Sequence, residues 1–199
     1  AMNKAIKLSR CEWLIFMNCG DTFYNNEVLK DVSLVLKKNN EKPDIIYGKT
    51  LFRYKSVFLK SIPLPISKIE KEMVFCHQSS FVLSEILKNN LFDLQYKYAA
   101  DYVMMRKLYF QKKEFLYLDL YISVFNQVEG STLNNFVRSA RERYSVHEKN
   151  KSFLAKIKLE LYIIRMAIGI IIKRIIPEEL SEKIFVNKYS DRIVEYEEK

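Results

Sequence analysis

Three short stretches carry side chains able to do acid–base or ligand chemistry, and each lies where an element starts or stops. The apolar run Trp13-Leu14-Ile15-Phe16-Met17 ends in Asn18-Cys19-Gly20-Asp21. A continuous run of that kind reads as a buried strand, so Asp21 falls just beyond a strand's carboxyl end, where open α/β sheets gather their ligands. A carboxylate there can hold a cation, or it can simply cap the segment that follows. Further on, Cys76-His77-Gln78-Ser79-Ser80 runs straight into the apolar Phe81-Val82-Leu83, and polar groups entering a core are costly unless they are hydrogen-bonded. The adjacent thiol and imidazole resemble zinc ligands, but no second pair accompanies them. A buried thiol and a hydrogen-bonded core histidine flanked by Phe75 and Phe81 are the plainer readings. Asp101 falls in the first turn of a helix predicted over 99–112, where a carboxylate meets the positive end of the helix dipole for about 0.3–1 kcal/mol with no function required.

The elements that must position these groups follow from periodicity. Residues 1–9 read as the last turns of an amphipathic helix, and 27–38 as a helix with Val28, Leu29, Val32, Val35 and Leu36 at helical spacing. Residues 44–47 predict a second apolar strand ending near Gly48, and 51–60 a partly exposed strand or hairpin arm. Pro63 and Pro65 make 61–67 a loop. Residues 115–125 are rich in aromatic and β-favouring types and read as a strand or two, followed by a turn through Gly130 and Ser131 and a helix from Asn134 onward. Helix and strand alternate in the manner of an α/β domain, with no internal repeat.

At 199 residues the chain suits one domain with an appendage. Its 49% hydrophobic content excludes a disordered or collagen-like polymer. Only four glycines occur, at Gly20, Gly48, Gly130 and Gly169, too scattered for a dinucleotide fingerprint or a P-loop. Three cysteines without a CxxC pair predict free thiols and a reducing compartment. The net charge of +9 favours anionic partners. Nucleic acid is not expected among them, because the aromatics fall in apolar runs that suit burial better than base stacking. The first residues show no secretory leader, and a start on Ala1 suits a piece of a longer polypeptide.

Taken in order, Ala1-Met2-Asn3-Lys4-Ala5-Ile6, Trp13 to Asp21, His77-Gln78-Ser79-Ser80-Phe81 and Ala99-Ala100-Asp101-Tyr102 resemble the family 2 glycosyltransferases of bacterial surface polysaccharide synthesis. The resemblance covers roughly residues 1–150. It implies a partial GT-A fold, a Rossmann-like αβα mixed sheet lacking the family's earlier nucleotide-binding portion, and hence little turnover by these residues alone. It implies inverting transfer from a nucleotide-sugar donor to a glycan or lipid-linked acceptor, at the inner face of the plasma membrane. Asp101 matches the family's catalytic base. Asp21, with Asn18 as a neutral second ligand, stands where the family has an Asp-x-Asp for Mg or Mn, although no Asp-x-Asp occurs in this sequence. His77 and Gln78 match the acceptor side, and Gly130 and Ser131 the loop that closes over the donor. Arg138, Arg141 and Arg143 could meet diphosphate or phospholipid, or be solvated.

Residues 151–199 read as a basic amphipathic helical extension. Between 151 and 176, Lys151, Lys156, Lys158, Arg165, Lys173 and Arg174 face a single acid, Glu160, while Leu and Ile supply a broad apolar face. The clean apolar runs are too short to span a bilayer. The pattern fits peripheral membrane contact or packing on the domain or a partner, and so leaves open a non-catalytic membrane-associated or partner-binding module.

Overall fold

The computed structural model describes residues 1–38, 42–126, 136–147 and 152–196, apart from the side chains of Ile171, Lys173, Arg174 and Glu178. It is an α/β fold built on a mixed sheet. Helix α1 (Met2–Leu8) leads to β1 (Trp13–Leu14) and β2 (Thr22–Phe23), then α2 (Val28–Lys38). Strand β3 (Ile45–Tyr54) turns back into β4 (Val57–Ser61). After a 3-10 turn at Ile66–Glu70 and another at His77–Ser79 come β5 (Ser80–Leu83), α3 (Ser84–Asn89), α4 (Ala100–Phe110) and β6 (Phe115–Asn126). Helices α5 (Phe136–Ser145), α6 (Phe153–Ile175) and α7 (Glu178–Lys188) precede β7 (Ile193–Val194).

The long β3 organises the sheet. Along one edge it runs parallel to β6. Along the other it pairs antiparallel with β5 through Ile45–Tyr47 and then with β4 through Thr50–Tyr54. Successive side chains of a strand point to opposite faces, and the core divides accordingly. Ile45 and Tyr47 join Ile6, Ile86, Met104, Met105 and Leu108 on one side. Ile46 joins Val28, Val32, Phe81 and Ile122 on the other. Helix α2 therefore covers one face, and α1, α3 and α4 the other.

Three expectations are modified. The run from Trp13 to Met17 pairs only at Trp13 and Leu14 and is half-buried, because β1 stands at the end of the strand order with β5 as its neighbour. Gly48 does not end its strand: β3 continues through it, absorbing the hairpin arm read separately. A residue without Cβ is needed there because a Cβ would lie 2.7 Å from both the Leu120 carbonyl oxygen and Ile122 Cδ1, next to a register shift between β3 and β6. The segment read as a helical extension ends in β7, which pairs with β4, and Tyr196 donates its hydroxyl to the Tyr24 carbonyl at 2.5 Å. Tyr54 stacks on Phe185 of α7 at 4.2 Å.

Gly48→Ala should lower stability by about 1–3 kcal/mol, since the added methyl meets backbone that cannot swing aside. Urea denaturation with an unchanged midpoint would show that β6 shifts freely.

Candidate functional site

The turn at His77–Ser79 sits where the edge of β3 changes partner from β5 to β4. Ser79 holds it there. Its hydroxyl accepts from Thr50 at 2.7 Å, meets Ser123 at 2.6 Å and donates to the Lys49 carbonyl at 3.1 Å. Thr50 and Ser123 face each other across the β3–β6 ladder, and both are buried. With Ser79 giving its hydrogen to Lys49, Thr50 and Ser123 can each give theirs to Ser79, so all three hydroxyls are satisfied. Gln78, 2% exposed, takes the Cys76 thiol hydrogen at Oε1.

His77 projects from the same turn toward α4. Its Nδ1 lies 3.2 Å from Asp101 Oδ2, while the side chains remain 21% and 32% exposed, so neither is sealed from solvent. Among the described residues His77 Nε2 is buried and has no hydrogen-bond partner. Asp101 also accepts the Tyr102 N–H at Oδ1, 2.8 Å away. Burial works against its ionisation, yet the hydrogen bond and charge of His77, that N–H and the Arg143 guanidinium hold its carboxyl below the ordinary value of 3.8. Just ahead of helix α4, Glu142 of α5 accepts the N–H groups of Tyr98 and Ala99 at 2.6 and 3.0 Å. A carboxylate from another helix thereby satisfies donors just ahead of the first turn.

Asp21 closes a tight turn. Its N–H donates to the Asn18 carbonyl at 3.1 Å, with Gly20 at φ 88°, the backbone region that the third position of a type II turn needs. Its carboxylate accepts the Asn18 N–H at 3.1 Å and, from the far end of β6, the Asn126 N–H at 3.0 Å. It ties the β1 turn to β6 rather than capping a following helix. Each carboxylate oxygen keeps a lone pair, and the Asn18 side chain is exposed. Among the described residues no three His, Cys, Asp or Glu side chains gather into a metal cluster. Asp21 is thus a single carboxylate in its turn, both of whose oxygens accept backbone N–H groups.

Cys76 relates the two acids. Burial pushes its thiol up to about 12, and the negative charges of Asp101 and Asp21 both push in the same direction. The thiol is thus inert at neutral pH, and both acids lie within electrostatic reach of it. His77 and Asp101 come together, Gln78 is buried beside His77 in the same turn, and Asp21 is tied to the end of β6. Gly130 and Ser131 lie outside the described residues. Of the arginines, Arg141 pairs with Glu160 at 3.3 Å, Arg138 is exposed, and the charge of Arg143 reaches Asp101. Sequence reasoning missed Ser79, Thr50 and Ser123 as the anchor and Glu142 as the acceptor just ahead of α4; single hydroxyls and one glutamate in a charged helix carry no local signal. A cavity of about 200 Å³ lined by Tyr24, Asp31, Asp119 and Tyr121, among others, takes none of these groups into its lining.

No known family model matches the chain, and no curated protein does.

Ser79→Ala should cost about 1–3 kcal/mol, because Thr50, Ser123 and the Lys49 carbonyl all lose a buried partner. Amide exchange at His77 and Gln78 should quicken with it, and unaltered exchange would show that the turn is held by other means. Asp101 has a depressed folded value, so its contribution is complete above 3.8 and is lost as pH falls through the folded value. The stability gap between wild type and Asp101→Asn should therefore narrow in acid; a gap that is constant from neutral to strongly acid pH would contradict the ion pairing.

Proposed function

We propose that this chain carries the base and acceptor side of a sugar-transfer site of the family 2 glycosyltransferase kind. It would move a sugar from a nucleoside diphosphate donor to a glycan or lipid-linked hydroxyl in surface-polysaccharide assembly, at the cytoplasmic face of the membrane. The observation that carries the reading is the pairing of Asp101 with His77 beside Cys76, a thiol that Asp21 also reaches electrostatically. A mixed sheet with a core on each face is compatible with the GT-A arrangement that goes with this reading.

On this reading the acceptor hydroxyl attacks the anomeric carbon from the side opposite the diphosphate, so configuration inverts, and Asp101 takes its proton. A carboxylate held below 3.8 is ionised at neutral pH and ready to accept. His77, donating from Nδ1, fixes the orientation of that carboxylate. A divalent Mg or Mn ion bound with the diphosphate would neutralise charge on the leaving group, with Asp21, and Asn18 beside it, on its protein side. Gln78, buried against Cys76, would support the acceptor side from behind rather than touch the acceptor, and Gly130-Ser131 would supply the donor loop.

A second reading, a non-catalytic membrane-associated or partner-binding module, is favoured by the exposed apolar surface of α6.

Transfer from labelled nucleoside diphosphate sugars to membrane acceptors should fall by about 10²–10⁴-fold in Asp101→Asn, with circular dichroism unchanged. A loss smaller than about tenfold would remove Asp101 as the base.

A further inference from the structure

Helix α6 is apolar on two faces, and the fold uses one of them. Its inner side packs through Ile163, which is 7% exposed, and touches α5 through the Phe136–Tyr162 ring contact at 5.8 Å. With about 100° between successive helical residues, Leu154, Leu161, Ile164, Ile168, Ile172 and Ile175 form a second stripe displaced from Ile163, and all six are 48–77% exposed. That stripe runs the length of the helix, roughly 30 Å at 1.5 Å per residue. Contiguous apolar surface of this extent marks an interaction site.

Charge decides the occupant. Lys158 and Arg165 are exposed and fall one beside the other along one flank of the stripe, and Lys156 is exposed on the same helix. The helix's one acid, Glu160, lies on the other flank and is already engaged by Arg141 at 3.3 Å. A second copy laid stripe to stripe would bring Lys158 and Arg165 of both chains to the seam with no free acid from α6 to meet them, whereas like charges so placed repel. An anionic lipid surface answers both features: the stripe enters the acyl boundary while the long lysine and arginine stems reach back to the headgroups. No helix among the described residues is long and apolar enough to cross a membrane, so the contact is one of lying on the surface.

We propose that α6 docks this protein on the surface of an anionic phospholipid bilayer through the Leu154–Ile175 stripe, with Lys158 and Arg165 at the headgroup level. The inference stands on α6 alone and does not depend on sugar transfer.

Vesicle flotation of the full chain tests it. The protein should float with phosphatidylcholine vesicles containing phosphatidylglycerol and should bind pure phosphatidylcholine vesicles at least about tenfold less, with high salt weakening the binding. Two variants separate the contributions: Leu161→Ser with Ile164→Ser and Ile168→Ser removes the stripe, and Lys158→Glu with Arg165→Glu reverses the flank. Because all five side chains are exposed, both variants should keep the wild-type urea midpoint while losing about tenfold or more in vesicle binding. Equal binding to neutral and anionic vesicles, or undiminished flotation of the stripe variant, overturns the proposal. A concentration-dependent wild-type dimer that the stripe variant abolishes, with no flotation, assigns the stripe to a second copy and overturns it equally.

Discussion

Ser79 Oγ accepts hydrogens from Thr50 and Ser123 and gives its own to the Lys49 carbonyl, at the point where the edge of β3 changes partner. Three strands are bridged there by one buried hydroxyl: β3 through Thr50 and Lys49, β6 through Ser123, and β5 through its own chain. Such a network raises the stakes of every member, since in a low-dielectric interior an unpaired hydroxyl loses more than a paired one gains. The consequence is placement. His77 and Gln78 ride the same turn, so the imidazole that meets Asp101 is registered against the centre of the sheet rather than against a surface loop.

Asp101 is positioned from the opposite direction. Glu142 accepts the N–H groups of Tyr98 and Ala99 and so ties the segment that leads into α4, and into its first-turn carboxylate, to α5. Each side of the His77–Asp101 contact is thus fixed by an independent polar anchor. Between them, the Cys76 thiol is held protonated by burial and by two nearby carboxylates. That distribution leaves the carboxylate as the ionised group and the thiol as packing. Asp21 joins this end of the sheet by accepting an N–H from β6, which makes it a structural tie and a negative charge at once.

The C-terminal part divides into two regimes. Residues of α7 and β7 close onto the β4 edge through the Tyr54–Phe185 stack, the short β4–β7 ladder and the Tyr196 hydroxyl. Covering the β4 edge in this way removes an open row of backbone donors and acceptors. Helix α6, between α5 and this anchored end, buries little of its own apolar surface.

Much of this was legible in the residues. The 3.6-residue spacing of Val28, Val32 and Val35 and the apolar runs at 44–47 and 115–125 were enough to read the α/β alternation, since periodicity reports which face an element buries. The turn at Asn18–Asp21, the polar cluster at 76–80 and the first-turn position of Asp101 were visible for the same local reason. Strand extents were not: Gly48 reads as an ending, whereas the close approach of Leu120 and Ile122 from β6 makes it a place only glycine can pass. Nor could local pattern show that His77 meets Asp101, that Ser79 anchors the turn of His77, or that Glu142 reaches from another helix to the residues ahead of α4. Those contacts join residues 24 to 44 positions apart, and a contact across such a separation exists only once the sheet has brought its strands into register. The composition of α6 announced more apolar surface than one face requires; which stripe was covered and which was left to the solvent depended on how the helix packs through Ile163 and Tyr162.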